Sequence, residues 1–546
     1  MYKGLCLFLL LTLIAGINGD VVKLKTGSIN GTTAQWKNGR LYQQFYGIPF
    51  AEPPVGELRF KAPVPAKPWS GIRNASEPPP KCVQPLIVSA DETEVIGQED
   101  CLYLNVFVPN NLFPTGKAPV MVAIHGGAYR YGDGAGYHPG YFMDSDMILV
   151  TMNYRMGILG FFGLNNDQIS GNFGMKDQSL ALRWVKENIE KFGGDPNQVT
   201  LMGESTGAAC VHLHMFSPLS KGLFQRAIMQ SGSAFSVWSH HGAGYGEAMS
   251  RALLIVSGCQ REDARKILKC LQRIPANKFN DLENKLHVAF DEPRILFKPM
   301  IESHVKNAPF LTKKPTKSSY LTNVPWITGV NSGEGGMKII KYLRNNDSLA
   351  KIVNKEKNSF LPLINEYIYS ADPEDIDNMT QKISDFYFGN KDIGSETALK
   401  FVDMITDSTF LVPAVKAVQL TRQNLQYVYF FNHYRRSYTL PRLAGLTMDL
   451  GVCHADELPY LFPNDYSESN MTPQDEQISK TLLKFWSNFI ITGDPNGDAK
   501  TKTWKAVETN DIEYLHIKTE SLTMEKKLLK DRFDFWNALP TGWKYD

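Results

Sequence analysis

Between residues 118 and 207, apolar runs of strand length alternate with helical patterns, and this alternation constrains the fold more than any other feature of the chain. Ala118-Pro-Val-Met-Val-Ala-Ile124 and Met147-Ile-Leu-Val-Thr-Met152 are apolar almost throughout, not at every second position, which is the pattern of strands buried on both faces. Ser179 to Phe192 has the spacing of an amphipathic helix. Gln198-Val-Thr-Leu-Met202 reads as a further strand and Ala208 to Phe216 as a helix. Elements in that order predict an α/β fold: a central, mostly parallel sheet flanked by helices, with a binding site at the carboxyl ends of the strands. The Pro-rich stretches 49–68 and 78–85 read as extended loops, and no repeat or low-complexity tract interrupts the chain, so residues 20–546 are expected to form one domain.

The turn between the last strand and helix of that stretch is Gly203-Glu204-Ser205-Thr206-Gly207. Gly-x-Ser-x-Gly alone is weak evidence, because ordinary Gly and Ser frequencies put one in roughly one chain in five of this length. Its setting makes it specific. A serine on a sharp strand-to-helix turn carries its hydroxyl above the sheet edge, and the glycines are needed because side chains there would collide. Attack by such a serine on a carbonyl builds an oxyanion, which backbone N–H groups must hold. His125-Gly126-Gly127-Ala128, at the end of the Ala118 to Ile124 strand, can bring the amides of Gly127 and Ala128 to join that of Thr206. A phosphate-binding loop would need Gly-Lys-Ser/Thr, and Tyr129 and Arg130 stand there instead.

A serine hydroxyl also needs a neutral imidazole to take its proton and a carboxylate to orient that imidazole. Above a sheet of this kind the acid follows the nucleophile and the histidine comes last. Glu334 fits the acid, in Asn331-Ser-Gly-Glu-Gly-Gly336 after the strand Trp326-Ile-Thr-Gly-Val330; Asp403 and Asp407, in a helical stretch, are the alternatives. Downstream lie His433, His454 and His516. His433 and His516 fall on or beside strands, whereas His454 occupies the loop Gly451-Val-Cys-His-Ala-Asp-Glu457 and is the expected base. His212 and His214 stand two apart on a helix and face different directions, so no metal is expected, and no cofactor.

The compartment and partner follow from the ends and the composition. Lys3, the apolar run Leu5 to Ile14, and Ala15, Gly16 and Gly19 read as a signal peptide over residues 1–19, too short to span a bilayer. The ending Gly542-Trp-Lys-Tyr-Asp546 carries no anchor or retention signal, so a secreted, extracellular protein without a membrane anchor is expected. Loss of Cys6 with the leader leaves six cysteines, for which arithmetic leaves many pairings open. Cys82 with Cys101 and Cys259 with Cys270 are the local pairs that would close short loops, leaving Cys210 and Cys453 free. Sequons at Asn30, Asn74, Asn346, Asn378 and Asn470 agree with export. With 58 basic against 56 acidic side chains no field recommends a nucleic acid, and a small molecule is the expected partner.

Taken together, Glu99-Asp-Cys-Leu-Tyr-Leu-Asn-Val106, Asn153-Tyr-Arg-Met-Gly157, Phe192-Gly-Gly-Asp-Pro-Asn197 and Gly203-Glu-Ser-Thr-Gly207 resemble the type-B carboxylesterase and cholinesterase family along nearly all of the mature chain. The resemblance implies an α/β-hydrolase fold whose insertions form a gorge leading to Ser205. It implies the two short-loop disulfides proposed above, an ion pair between Arg155 and Asp177, and hydrolysis of carboxylic esters through an acyl-enzyme. Its own acid and histidine segments fall on Glu334 and His454. Cholinesterases hold quaternary ammonium with an aromatic side chain in the first disulfide loop, but Val83 to Asp100 contains none, so choline esters are disfavoured. Trp238, seven residues after Ser231, resembles an acyl-pocket wall. Ala128 and Thr206 depart from the family's commoner Gly and Ala, and both keep their amides. His-Gly-Gly-Ala resembles insect secreted esterases, which makes small hydrophobic esters (xenobiotic, pheromone or hormone) the expected substrates, although juvenile hormone esterases more often carry Gln where Glu204 stands. The rival expectation is a non-catalytic, cholinesterase-like binding or adhesion protein, because relatives can keep the fold without the triad.

Overall fold

A computed structural model of the chain describes residues 18–86, 94–110, 116–242, 244–289, 292–343, 348–421, 424–433, 448–463 and 471–543. Seven parallel strands form the middle of its main sheet, in the spatial order Ile148–Met152, Ala118–Ile124, Gly194–Glu204, Arg226–Gln230, Trp326–Asn331, Gln426–Asn432 and Glu513–Lys518. Antiparallel strands extend both edges: Tyr103–Pro109, Leu41–Pro49, Ser28–Gln35 and Asn18–Lys23 on one side, Leu522–Lys526 on the other. This is the mixed, mostly parallel sheet that the alternating pattern predicts.

Burial on both faces explains why the central strands are apolar throughout. In Ala118–Ile124, Val120, Val122 and Ile124 enter one core while Met121 and Ala123 enter the other. The first core is closed by Leu182, Trp184 and Val185 of the helix Phe173–Asn188, and the second by Ile478, Leu482, Phe485, Trp486 and Phe489 of the helix Pro473–Thr492. Truncating any of these buried leucines to alanine costs about 2–5 kcal/mol in fold stability.

Some elements run past the bounds read from sequence. The strand at Gln198 to Met202 extends over Gly194–Glu204, because Gly194 already pairs with Ala118. The helix expected at Ser179 begins at Phe173; its first turns, Phe173 to Ser179, are buried all round and so carry no amphipathic period. The chain leaves Ala118–Ile124 for Ile148–Met152 on one side and then crosses to Gly194–Glu204 on the other. That reversal opens a crevice at the carboxyl ends of two adjacent strands, where the loop from His125 and the turn at Ser205 meet.

Cys82–Cys101 and Cys259–Cys270 are bonded, and Cys210 and Cys453 are free and buried. Arg155 and Asp177 form a buried bidentate pair, with Nε and Nη2 donating at 2.8 and 2.7 Å, so the pair is no solvated surface contact. Asn74 and Asn378 are exposed and Asn30 is half-buried on its strand. Residues 1–17 of the expected leader (1–19) and the sequons at Asn346 and Asn470 lie outside the described residues.

Candidate active site

Ser205 joins the strand Gly194–Glu204 to the helix Thr206–His214 with φ 57° and ψ −126°, a conformation that costs a non-glycine residue roughly 1–3 kcal/mol. The flanking glycines are a steric necessity: a Cβ on Gly207 would lie 2.2 Å from the Ile124 carbonyl oxygen, and one on Gly203 2.4 Å from the Gly207 carbonyl carbon. The turn is tied down by the Ser205 amide, which donates to the Gln230 carbonyl at 2.9 Å. Glu204 and Thr206 on either side are buried, while Ser205 stays half-buried and accessible.

Opposite the serine, the loop after Ala118–Ile124 carries positive φ at Gly127, Ala128 and Tyr129. A Cβ on Gly126 would come within 3.1 Å of Ser205 Cβ, so this loop passes directly over Ser205. The amides of Gly127, Ala128 and Thr206 are taken by no acceptor among the described residues. Donors left open beside a serine hydroxyl are what an oxyanion requires.

Glu334 and His454 arrive on two loops fastened to each other. Gly333 N donates to the Val452 carbonyl at 2.8 Å, Asn331 Nδ2 to the Cys453 carbonyl at 2.8 Å, and a Cβ on Gly336 would lie 2.3 Å from Cys453 Sγ. The result is a 2.6 Å contact between His454 Nδ1 and Glu334 Oε2. Glu334 Oε1 accepts from the Asn331 amide at 2.7 Å and the Ser231 hydroxyl at 2.6 Å, so the carboxylate is held at both oxygens. The sequence-based alternatives are engaged elsewhere: Asp407 accepts from Arg532 Nε and the Tyr387 hydroxyl, and Asp403 pairs with Arg532 Nη1 at 2.9 Å. His433 is held by Asp475 at 2.8 Å and Thr519 at 3.1 Å, and His516 lies 3.0 Å from Glu525. His214 bonds Ser220 and Gln178, and His212 accepts from the Ala234 amide at 3.1 Å.

The far nitrogen of His454 points somewhere the sequence did not foretell. Nε2 lies 3.1 Å from Glu204 Oε1, an oxygen with no hydrogen-bond partner, so the contact is electrostatic. No hydrogen bond joins Ser205 Oγ to the imidazole; such bonds commonly tighten only when substrate is bound. A third buried carboxylate, Glu457, accepts from Gln230 Nε2 at 3.0 Å and Asn331 Nδ2 at 2.6 Å. Burial raises the pKa of Glu204 and of Glu457. Burial works to lower His454, but the carboxylates of Glu204 and Glu334 outweigh it and raise the imidazole above its ordinary value.

Trp238 lies near Ser205 and His454. Its indole donates to the Thr409 carbonyl at 3.0 Å, its ring lies 5.7 Å from Phe410, and Phe410 lies 4.8 Å from the His454 ring. A Cβ on Gly232 would meet both Trp238 and the Ser205 carbonyl, which sets the indole close beside the nucleophile. Sequence reasoning missed Glu204 as a partner of His454, and with it Ser231, Asn331, Glu457 and Phe410. Ser231 follows Arg226–Gln230, the strand beside Gly194–Glu204, and Asn331 ends the next strand beyond it, so reading every strand's carboxyl end would have found them.

A strand-borne, strained serine, a carboxylate-held imidazole and open amides on one crevice of a mostly parallel sheet define a serine hydrolase of the α/β-hydrolase class. The chain belongs to the carboxylesterase family, whose pattern it matches over residues 18–536. It is a carboxylic ester hydrolase. Among its relatives, a carboxylic ester hydrolase of Bombus ignitus is 35% identical over 533 residues, covering 95% of this chain and 94% of that protein. A juvenile hormone esterase of Tribolium castaneum is 33% identical over 553 residues, covering 94% and 93%. The crystal structure of juvenile hormone esterase from Manduca sexta with OTFP covalently attached superposes with a TM-score of 0.84 at 28% identity, covering 96% of this chain and 99% of that one.

Proposed function

We propose that the chain is an exported esterase that cleaves small hydrophobic esters with Ser205 as nucleophile, His454 as general base and acid, and Glu334 as the group that orients the imidazole. The observation that carries this reading is the 2.6 Å bond from His454 Nδ1 to Glu334. With its proton committed to that carboxylate, Nδ1–H fixes the tautomer and leaves Nε2, which faces Glu204 across 3.1 Å, unprotonated and able to accept the serine proton. Ser205 attacks the ester carbonyl, and the amides of Gly127, Ala128 and Thr206 receive the oxyanion at about 3–4 kcal/mol per donor. Collapse of this intermediate expels the alcohol, protonated by His454, and leaves the acyl group on Ser205. Water then enters, gives its proton to His454, and releases the acid and the free serine.

Trp238 and Phe410 make an apolar wall beside the serine, which supports an apolar acyl or alcohol group in the substrate. The leader over residues 1–19, two disulfides and exposed sequons at Asn74 and Asn378 support export and glycosylation. Among the described residues no helix is long and apolar enough to cross a membrane. The reading is tested by turnover of a short p-nitrophenyl ester by wild type and Ser205→Ala, with and without an organophosphate. Turnover is expected in wild type alone and is expected to stop when Ser205 is phosphorylated; equal turnover by the variant would overturn it.

A further inference from the structure

The loop carrying Gly127 and Ala128 holds an unfavourable shape at three successive residues, with φ of 108°, 55° and 53° at Gly127, Ala128 and Tyr129. Glycine adopts such angles freely; alanine and tyrosine adopt them only when the surroundings enforce them. Tyr129 is where the enforcement converges. Its carbonyl accepts from the Gly157 amide at 2.6 Å, its fully buried phenol donates to the Ser239 carbonyl at 3.0 Å, and its ring packs edge-on against Phe161 at 5.0 Å. Its amide donates, at 3.4 Å, to the hydroxyl of Thr206. Thr206 is the first residue of the helix behind Ser205 and is itself buried, so its hydroxyl links the nucleophile's turn directly to the main chain of the facing loop. Tyr154 adjoins the same hydroxyl and donates to the carbonyl of His125, where the loop begins.

We propose that the Thr206 side chain is a positioning residue that clamps the Ala128–Tyr129 backbone against the nucleophile turn, and so sets the separation between the Thr206 amide and the amides of Gly127 and Ala128. The clamp rests on the oxyanion reading given above. An alanine at position 206 would supply the same amide without the link, so the side chain adds a function that the backbone alone does not. Because the Thr206 hydroxyl is buried and acts by shaping the oxyanion site, its loss slows chemistry and spares binding.

The test compares wild type, Ser205→Ala, Thr206→Val and Thr206→Ser on a short p-nitrophenyl ester, with kcat counted per serine titrated by an organophosphate in the proteins that keep Ser205 and per total protein in Ser205→Ala. Thr206→Val fills the same volume without the hydroxyl, and roughly a tenfold fall in kcat is expected, with KM unchanged within about twofold. Acylation and deacylation, which both pass through an oxyanion, are expected to slow alike in rapid-mixing traces. Thr206→Ser, which keeps the hydroxyl, is expected to recover most of the rate. Wild-type kcat in Thr206→Val, or an equal loss in Thr206→Ser, overturns the clamp while leaving the serine mechanism intact. If Thr206→Val does not fold, Thr206→Ala is read in the same way. Equal turnover by Ser205→Ala would overturn the underlying site as well.

Discussion

Two clusters of buried charge in this protein are balanced in opposite ways. Around the helix Phe173–Asn188 every buried carboxylate has its own cation. Arg155 grips Asp177 at 2.7 and 2.8 Å, and Lys176 meets Glu302 at 2.6 Å while Asn172 occupies the other Glu302 oxygen at 2.8 Å. At the carboxyl ends of the central strands, Glu204 and Glu334 flank one imidazole, and Glu457 sits behind them on Gln230 and Asn331 with no cation of its own among the described residues. Matched pairs hold a fold in place and have nothing to exchange. Carboxylates gathered around a single histidine favour the imidazolium, the state that appears when the histidine takes a proton from serine.

The largest effect expected from breaking this contrast is on rate. Glu334→Gln keeps the shape of the acid but cannot hold the required tautomer, and kcat on a short ester should fall about 10⁴-fold with little change in melting temperature. A variant within tenfold of wild type would remove Glu334 from the mechanism. Next comes an effect on stability with chemistry preserved. Asp177→Asn leaves the Arg155 guanidinium buried without its counter-charge and should cost about 3–5 kcal/mol in chemical denaturation, while kcat per titratable serine stays near wild type. A lost kcat in protein that remains folded would mean that the two clusters are coupled.

The third prediction is a shift along the pH axis. His454 must be neutral to act as base, and the adjacent carboxylates raise its pKa, so kcat/KM should rise with pH through a midpoint above the reference imidazole value of about 6.5. Glu204→Gln removes the largest of the raising influences, destabilises the imidazolium, and should move that midpoint to lower pH, with kcat changed by less than about tenfold. A midpoint that stays put would show that Glu204 is not sensed by the base. The smallest effect is expected for Lys176→Met combined with Glu302→Gln, which removes both charges of a matched pair and keeps an acceptor for the amide of Phe310. Stability should change by about 1 kcal/mol or less, against about 3 kcal/mol for Lys176→Met alone; additive losses would contradict the matched-pair account.

These clusters also mark where the sequence was readable. Ala118–Ile124 and Ser205 could be recognised because burial on both faces and the glycines of a tight turn leave local patterns. Glu334 and His454 followed from their order along the chain and from loops placed at element ends. The contact between Glu204 and His454 left no such trace. It exists because the loops at Gly333 and Val452 bond to each other across more than a hundred residues, and no local period records that. The same holds for Phe410, whose place over the imidazole depends on the packing of residues 407–411, and for the start of the helix at Phe173, where complete burial erases the amphipathic pattern.

The measurement that tests the central claim most directly is capture of the acyl group. An ester with a slowly released acid is mixed with wild-type protein, quenched in acid within the first turnover, digested, and read by mass spectrometry. One acyl group on Ser205 is predicted, absent from Ser205→Ala and carried longer in Glu334→Gln, where deacylation is slowed. An acyl group on any other residue, or steady turnover with none on Ser205, would contradict the account.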